Sequence, residues 1–176
     1  APSAAHLNTE KASVAFWVKV ESLPAQGEVF LLSYGGWQER FKISLPAHGK
    51  AVWTTNHSGG ISDMDAGDAN ALVPGVWTHL VMVHDGAQDL IYVNGVVANT
   101  KAVVGTLNST THPLGIGYDP IDGVNFFKGD LDEVTLYDLA LSAQEVLALY
   151  TTQNQTPVVE PGLVASYSLD GSGSDD

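Results

Sequence analysis

The feature that most constrains this sequence is a series of short β-branched and aromatic runs separated by Gly, Pro, Asn and Asp. Such runs are typical of β-strands bounded by turns. In residues 40–45, Phe41, Ile43 and Leu45 alternate with polar residues, which predicts a strand with one buried face and one wet face. The chain is therefore predicted to be all-β, with strands at residues 13–20, 29–33, 40–45, 51–55, 77–84, 113–117, 130–137 and 163–169.

Two local signals are more specific than this pattern. Asn94 and Gly95 lie between two apolar runs in residues 89–98, and a type I′ turn requires two residues with positive φ at this place. We therefore expect a β-hairpin there. Ser142 and Glu145 form a capping-box pattern ahead of apolar residues at helical spacing, which predicts one short helix near the C-terminus.

The charge balance excludes several classes of partner. Seven Lys and Arg residues against twenty Asp and Glu residues give a formal net charge of −13. This charge repels a phosphate backbone, so no nucleic-acid partner is expected. The longest apolar runs have the length of strands, so no membrane insertion is expected. Because the chain has no cysteine, a stabilising metal would have to be a hard ion held by oxygen ligands.

The length of the chain, 176 residues, fits one domain with a single core. We assign residues 1–150 to this domain. Residues 151–162 are polar with two prolines, which predicts a linker. A strand pattern then returns in residues 163–169, followed by a Gly, Ser and Asp segment that ends at residue 176.

Four motifs follow one another along the chain after an early FWV at residues 16–18: WTHLVMVHDG at 77–86, IYVNG at 91–95, FKGDLDEV at 127–134 and ALSAQEV at 140–146. Their order and spacing closely resemble the laminin G-like family of the concanavalin A-like lectin/glucanase superfamily. The resemblance implies a two-sheet antiparallel jelly-roll sandwich, in which Trp17 and Trp77 match core positions. The superfamily includes lectins, carbohydrate-binding modules, adhesion modules and glycosidases, so the fold leaves the function open.

The first strand expected from the family resemblance is not found at its usual place in the sequence. Family members of this type begin with a strand that is missing here at the amino end, and its look-alike is the LVASYSLDG of residues 163–171. This segment either begins a tandem copy of the domain or completes this jelly roll by circular permutation, because the first strand of a jelly roll lies near the last.

The resemblance also implies a structural Ca²⁺ held by Asp132 and, with less support, by Asp170. Such an ion needs six to eight oxygen ligands, so carbonyls and waters would have to complete the site. A second group of acids, Asp63, Asp65 and Asp68, lies in a predicted polar loop at residues 56–70. This loop is interpreted either as a second cation or ligand site or as a solvated acidic segment.

Sugar-binding sites combine aromatic platforms with short planar polar groups, because a pyranose has an apolar face and a rim of hydroxyls. Trp37 follows two glycines, which favours exposure, and Trp53 leads into Asn56 and His57. Three predicted loops at residues 34–40, 56–70 and 118–126 are therefore expected to hold a sugar. The candidate ligand-binding residues are Trp37, Arg40, Trp53, Asn56, His57, Asp63, Tyr118, Asp119 and Asn125.

No catalytic residue is predicted, because the E-x-D-x-x-E string of retaining glycosidases and the G-x-S-x-G nucleophile motif are both missing from the sequence. The leading hypothesis is a calcium-supported lectin module outside the cell or on its surface, which binds fucose-containing glycans of cell or algal surfaces. The composition of this chain resembles that of modules in large bacterial repeats-in-toxin adhesins. This resemblance implies a monomeric module in a multidomain chain. The alternative is a structural or protein-adhesion module, and a glycoside hydrolase is less favoured.

Overall fold

The computed structural model describes residues 5–153 and the backbone of a strand at 163–167. The strands are β1 (Ala12–Val20), β2 (Glu28–Tyr34), β3 (Phe41–Pro46), β4 (Val52–His57), β5 (Gly60–Asp65), β6 (Trp77–His84), β7 (Gln88–Val93), β8 (Val96–Ala102), β9 (Leu114–Ile116), β10 (Gly129–Tyr137) and β11 (Leu163–Tyr167). They form a six-stranded antiparallel sheet, β11-β10-β1-β6-β7-β8, and a five-stranded antiparallel sheet, β5-β4-β3-β2-β9. The predicted all-β jelly-roll sandwich is confirmed.

The main core lies between the two sheets. On β1, the alternating residues Val14, Phe16, Val18 and Val20 are almost completely buried, as expected for the inner face of a sheet. They pack with apolar side chains of β2, β3 and β4, including Trp53, which is 0% exposed. This burial stabilises the sandwich because apolar surface is removed from water on both inner faces.

The prediction that one face of β3 is exposed to solvent is wrong. Lys42 is 7% exposed and Ser44 is 0% exposed, so both faces of this strand are covered. The Lys42 ammonium pairs with the Glu28 carboxylate and lies over the Phe30 ring, 4.9 Å from its centroid. Side chains of the neighbouring strand β2 therefore cover the outer face of β3.

The hairpin predicted at Asn94 and Gly95 is confirmed. These residues connect β7 to β8 with φ angles of 50° and 80°, the two positive values that a type I′ turn requires. The predicted helix is also present as α2 (Ala143–Thr152). Ser142 accepts the backbone N–H of Glu145, and the Glu145 carboxylate accepts the N–H of Ser142, so the capping box is complete.

Helix α2 covers part of the outer face of the six-stranded sheet. Val146 and Leu149 pack there against Ala15, Val81 and neighbouring side chains in a second, smaller apolar cluster. One further helical turn, α1 (Gly36–Glu39), follows β2 and was not predicted. No helix within the described residues has the length and apolar character needed to cross a bilayer.

Strand β11 lies at the edge of the six-stranded sheet. It pairs with β10 in an antiparallel register that places Leu163 opposite Tyr137 and Tyr167 opposite Val134. Whether this strand begins a tandem copy or completes the jelly roll, and whether 151–162 is a linker, stay predictions. Residues 154–162 and 168–176, which include Asp170, lie outside the described part of the chain.

Candidate functional site

Helix α1 brings Trp37 to the surface at the end of β2. Gly35 and Gly36 have φ angles of 72° and 58°, which are accessible to glycine at little cost and let the chain turn sharply out of the strand. Of the candidate platforms, Trp37 is the one on this turn, and it is 46% exposed. Its predicted exposure agrees with the structure, whereas its role in binding stays a prediction.

Asn56 fixes this turn from the neighbouring strand β4. Its side-chain amide donates to the carbonyl oxygens of Trp37 and Gln38, at 3.1 and 2.8 Å. Its own Oδ1 accepts the side-chain amide of Asn108 at 2.8 Å. The fold thus brings the candidate residues Trp37 and Asn56 together. The Asn56 side chain stabilises the backbone of α1 through these hydrogen bonds.

Arg40 is not at the surface. Its side chain is 0% exposed and donates to the carbonyl oxygens of Leu7 and Thr9 at 2.8 Å and of Asn108 at 2.6 Å. Burial lowers the pKa of this guanidinium to about 10. Arg40 is therefore placed to tie the N-terminal segment and the loop at Asn108 to β3, rather than to meet a sugar directly.

A polar groove of about 460 Å³ lies between α1, the N-terminal segment and the loop after β8. Its lining offers amide, hydroxyl and carboxylate groups. Trp37 precedes the lining residues Gln38 and Glu39 on α1 and is not itself a lining residue. Many of the lining groups are already fixed: Asn8 accepts the Thr110 N–H at 3.0 Å and donates to the Thr110 carbonyl oxygen at 2.9 Å. The lining residues are Asn8, Gln38, Glu39, Asn108, Ser109, Thr110 and Thr111.

Glu39 is the acidic group of this groove. One carboxylate oxygen accepts the Thr110 hydroxyl, and the other lies 3.5 Å from His112 Nε2. Glu39 can therefore accept further hydrogen bonds from a ligand hydroxyl while it keeps its place. This arrangement is chemically suited to a neutral, hydroxyl-rich ligand.

Two other candidate ligand residues lie in the interior. Trp53 is 0% exposed and contacts the Phe41 ring at 5.1 Å between centroids, so its indole is a core group. His57 is 6% exposed and stacks on His84 at 5.9 Å. A ligand at the surface does not reach either ring in this conformation.

The segment at residues 118–126 is a compact loop beside α1. Asp119 is buried, and its carboxylate accepts the Ile121 N–H at 2.9 Å, which shapes the loop. Asn125 has a φ of 58°, and its carbonyl oxygen accepts the Phe30 N–H. Tyr118 stacks on Phe126 with ring centroids 6.0 Å apart, away from the lining of the polar groove.

The acidic segment predicted as a long loop is instead mostly strand β5, and that expectation was wrong. Ser62 and Met64 are buried and alternate with exposed residues, the period of a strand. Asp63 accepts the Thr54 hydroxyl at 2.5 Å. Asp65 and Asp68 both contact the Lys50 ammonium at 2.9 Å, so a side-chain cation already compensates part of their negative charge.

Of the two residues predicted to hold the structural Ca²⁺, Asp132 and Asp170, the structure describes Asp132. Asp132 lies on β10 opposite Trp17, and its Oδ1 accepts the Glu133 N–H at 2.8 Å. Glu133 has a φ of 49° beside a shift in the β1–β10 register. Within residues 5–153 and 163–167, no three His, Asp or Glu side chains converge as a metal site would require. The predicted partner Asp170 is not among these residues.

The groove contains residues that sequence reasoning missed. Asn8, the adjacent pair Gln38 and Glu39, and residues 108–111 come from three separate segments, and only the fold brings these segments together. The one available signal was the polar run of residues 108–111, which interrupts the strand pattern.

The two antiparallel sheets packed around a shared apolar core define a two-sheet β-sandwich domain. The chain belongs to the laminin G-like family of the concanavalin A-like lectin/glucanase superfamily, whose family model matches residues 1–147. The sequence has no significant match among curated proteins.

Solved structures share this fold. A candidate carbohydrate-binding protein of Bacteroides ovatus superposes with a TM-score of 0.76 at 16% identity, over 96% of this chain and 48% of that protein. The binding domain of Paraclostridial Mosquitocidal Protein 1 gives 0.64 at 21%, over 84% and 38%. The receptor-binding domain of botulinum neurotoxin type G gives 0.61 at 17%, over 82% and 38%. The chain thus spans less than half the length of each of them.

Proposed function

We propose that this chain is a non-catalytic carbohydrate-binding module, and that the groove beside α1 holds the sugar. The observation that carries the proposal is that the exposed Trp37 directly precedes Gln38 and Glu39 on α1, and these two residues line the polar groove. An indole face covers the apolar face of a pyranose, while amides, hydroxyls and a carboxylate satisfy its hydroxyls. The likeness to a candidate carbohydrate-binding protein supports this choice.

The fixed hydrogen bonds of the groove support selective binding. Asn8, Asn108 and Thr110 are held by partners within the chain, so little side-chain freedom remains to be lost when a ligand enters. The excess of acidic residues favours neutral over sulfated or carboxylated glycans, since like charges repel. Neutral fucose-containing glycans of cell or algal surfaces fit this requirement.

The wider setting is part of the same proposal. We place the module outside the cell or on its surface, as a monomeric unit of a longer adhesin, where such glycans are accessible. We also propose that Ca²⁺ supports the fold through Asp132. In that position the ion would supply positive charge to a carboxylate of β10 and hold this strand to its neighbours.

A glycan array with purified protein tests the proposal. Binding of one or more neutral glycans is expected. Trp37→Ala should reduce the affinity for the glycan at least tenfold, because the variant loses the contribution of one stacked aromatic ring. Trp77→Ala is the matched control, because this indole is similarly exposed (40% against 46%) but belongs to the six-stranded sheet. No retained glycan, or equal losses in the two variants, would overturn the assignment of the groove.

A protein-adhesion module is the second candidate, favoured by one observation. Phe126 is 63% exposed beside Val124, which is 45% exposed, and its ring stacks on Tyr118. Exposed apolar groups of this kind are found at protein interfaces, and the neurotoxin domain of the same fold is a receptor-binding domain. Loss of a protein partner on Phe126→Ala, with Trp37→Ala unaffected, would favour this function.

A further inference from the structure

The loop at residues 118–126 presents an aromatic ring to solvent beside β2. Phe126 is 63% exposed, and its ring stacks on Tyr118 with the two ring planes 12° apart. One face of the Phe126 ring therefore rests on Tyr118, and the opposite face is open. An open, flat ring face of this kind can cover the apolar face of a pyranose.

Polar side chains of the same loop accompany this ring. Asn125, which directly precedes Phe126, and Tyr118 are partly exposed, and Asp122 is exposed. Together they offer an amide, a hydroxyl and a carboxylate, which can donate to or accept from sugar hydroxyls. A purely apolar partner surface would desolvate these groups without replacing their hydrogen bonds to water, which is unfavourable. The chemistry of the loop therefore favours a sugar over an apolar protein surface.

Hydrogen bonds within the chain fix the shape of this loop. The Asp119 carboxylate accepts the Ile121 N–H at 2.9 Å, and the Asp119 N–H donates to the Val124 carbonyl oxygen at 2.9 Å. The Asn125 carbonyl oxygen accepts the Phe30 N–H at 2.8 Å, which anchors the loop to β2. Because the platform is preformed, little conformational freedom remains to be lost on binding.

The loop contacts the turn that carries Trp37. A Cβ built on Gly36 would lie 3.2 Å from Cδ1 of Ile121, so Ile121 packs against the residue that directly precedes Trp37. The same turn continues into Gln38 and Glu39, which line the polar groove. The contact between Ile121 and Gly36 thus joins the loop to the segment that forms one wall of the groove.

The two exposed rings are too far apart along β2 for one sugar ring to cover both. Phe126 forms a backbone bridge with Phe30, whereas Trp37 lies on the turn that follows Tyr34. The strand between Phe30 and Tyr34 is about 13 Å long at a rise of about 3.3 Å per residue. A ligand that contacts both rings must therefore contain more than one sugar residue.

We propose that the ligand is a neutral oligosaccharide, with one sugar in the groove beside α1 and another in a second subsite formed by Phe126, Tyr118 and Asn125. This inference rests on the proposed function and names the class of glycan. Two contacts on one chain strengthen binding, because the second contact is intramolecular once the first has formed. Anionic glycans are disfavoured by Asp122 and by the net charge of −13.

A calorimetric titration of the full chain with glycans of increasing length tests the proposal. The probes are L-fucose, the trisaccharide 2′-fucosyllactose and the pentasaccharide lacto-N-fucopentaose I, together with each neutral glycan that the array retains and its shorter fragments. Within a series that binds, the affinity should rise at least tenfold from the shortest to the longest probe. An affinity that does not rise with length would overturn the second subsite and leave the proposed function standing, whereas no binding of any probe or array glycan would overturn both.

Two variants at Phe126 localise the second subsite. Phe126→Leu keeps an apolar side chain but lacks the flat ring, so it should weaken the longest probe about fivefold or more and leave the shortest binding probe unchanged. Phe126→Tyr keeps the ring and should retain the affinity. Trp37→Ala should weaken short and long probes alike.

Val96→Ala is the matched control, because Val96 is 64% exposed but belongs to β8 of the other sheet. A loss in this variant equal to that in Phe126→Leu would contradict the assignment. Equal losses for short and long probes in Phe126→Leu, or length-dependent binding that this variant leaves unchanged, would also contradict it. If Phe126→Leu retains every glycan but loses a protein partner, the loop belongs to a protein interface and the second subsite is wrong.

Discussion

His84 Nδ1 lies 2.8 Å from Asp89 Oδ1, and both side chains are completely buried between the two sheets. The second oxygen of Asp89 accepts the Thr55 hydroxyl at 2.7 Å. Because Thr55 belongs to the five-stranded sheet and Asp89 to the six-stranded one, this carboxylate joins the two layers of the sandwich. Non-directional apolar packing surrounds it, so the network adds a directional contact that favours one alignment of the sheets.

Asp89→Ala is expected to destabilise the protein by about 3 kcal/mol or more, because it leaves the buried His84 imidazole and Thr55 hydroxyl each without a partner. Urea denaturation measures the loss. Asp68→Ala is the control, since this side chain is 99% exposed and an ion pair in contact with water contributes little to stability. Similar stability of the two variants would show that the network does not hold the sheets together.

Gly35→Ala should damage both stability and the groove. A Cβ at this position would lie 2.6 Å from the Thr110 hydroxyl oxygen, and Thr110 lines the groove, so the two segments would be forced apart. Gly27 has a similar φ, 68° against 72°, but no atom within 4 Å of its Cβ position. Gly27→Ala therefore isolates the cost of the left-handed backbone, about 1–2 kcal/mol.

The two glycine variants are expected to differ in both stability and glycan binding. Gly35→Ala is expected to exceed Gly27→Ala in destabilisation and to lose glycan binding, whereas Gly27→Ala should retain it. Thermal melting and the glycan array are the measurements. Retained binding in Gly35→Ala would contradict the position assigned to the groove.

The fold could be predicted because its determinants are local. The paired positive φ angles of Asn94 and Gly95 and the capping box of Ser142 and Glu145 depend on residues close in sequence. The family motifs then specified the two-sheet arrangement. The short turn α1 was missed because its four residues carry no helical period.

The candidate site could be predicted only in part, because residue type does not specify burial. Arg40 and Trp53 have the side chains that sugar sites use, yet the fold buries both of them completely. Conversely, Trp77 matches a core position of the family but is 40% exposed here. The groove depends on contacts such as Asn8 with Thr110, which are 102 residues apart and leave no local pattern.

Removal of calcium tests the ion proposed at Asp132. EDTA should lower the melting temperature, because a bound ion stabilises the native state by mass action, and the shift should grow with calcium concentration. Asp132→Ala should abolish the sensitivity, whereas Asp65→Ala should retain it, since Lys50 already compensates Asp65. Melting curves that EDTA leaves unchanged in all three proteins would remove Asp132 from the metal ligands.

The pH dependence of stability should contain a contribution from His79. Burial lowers the pKa of this histidine from 6.5 to about 4 in the folded protein, and its side chain is 0% exposed. Between these values the unfolded chain binds the proton and the native state does not, so stability rises with pH through this window. As the pH falls from 6.5 towards 4, the protein should lose up to about 3 kcal/mol through this group.

His79→Leu removes the titrating group and keeps an apolar side chain at a position where, among the described residues, neither ring nitrogen has a hydrogen-bond partner. Urea denaturation between pH 4 and pH 7 compares the two proteins. The free energy of unfolding of the variant should fall less steeply on acidification, so that the variant gains relative to the wild type as the pH decreases. Carboxylates contribute equally to both profiles, and the difference between them therefore reports His79. Parallel profiles would mean that the imidazole takes up its proton in the folded state near its ordinary pKa, and that Trp17 rests on a ring that becomes charged below pH 6.5.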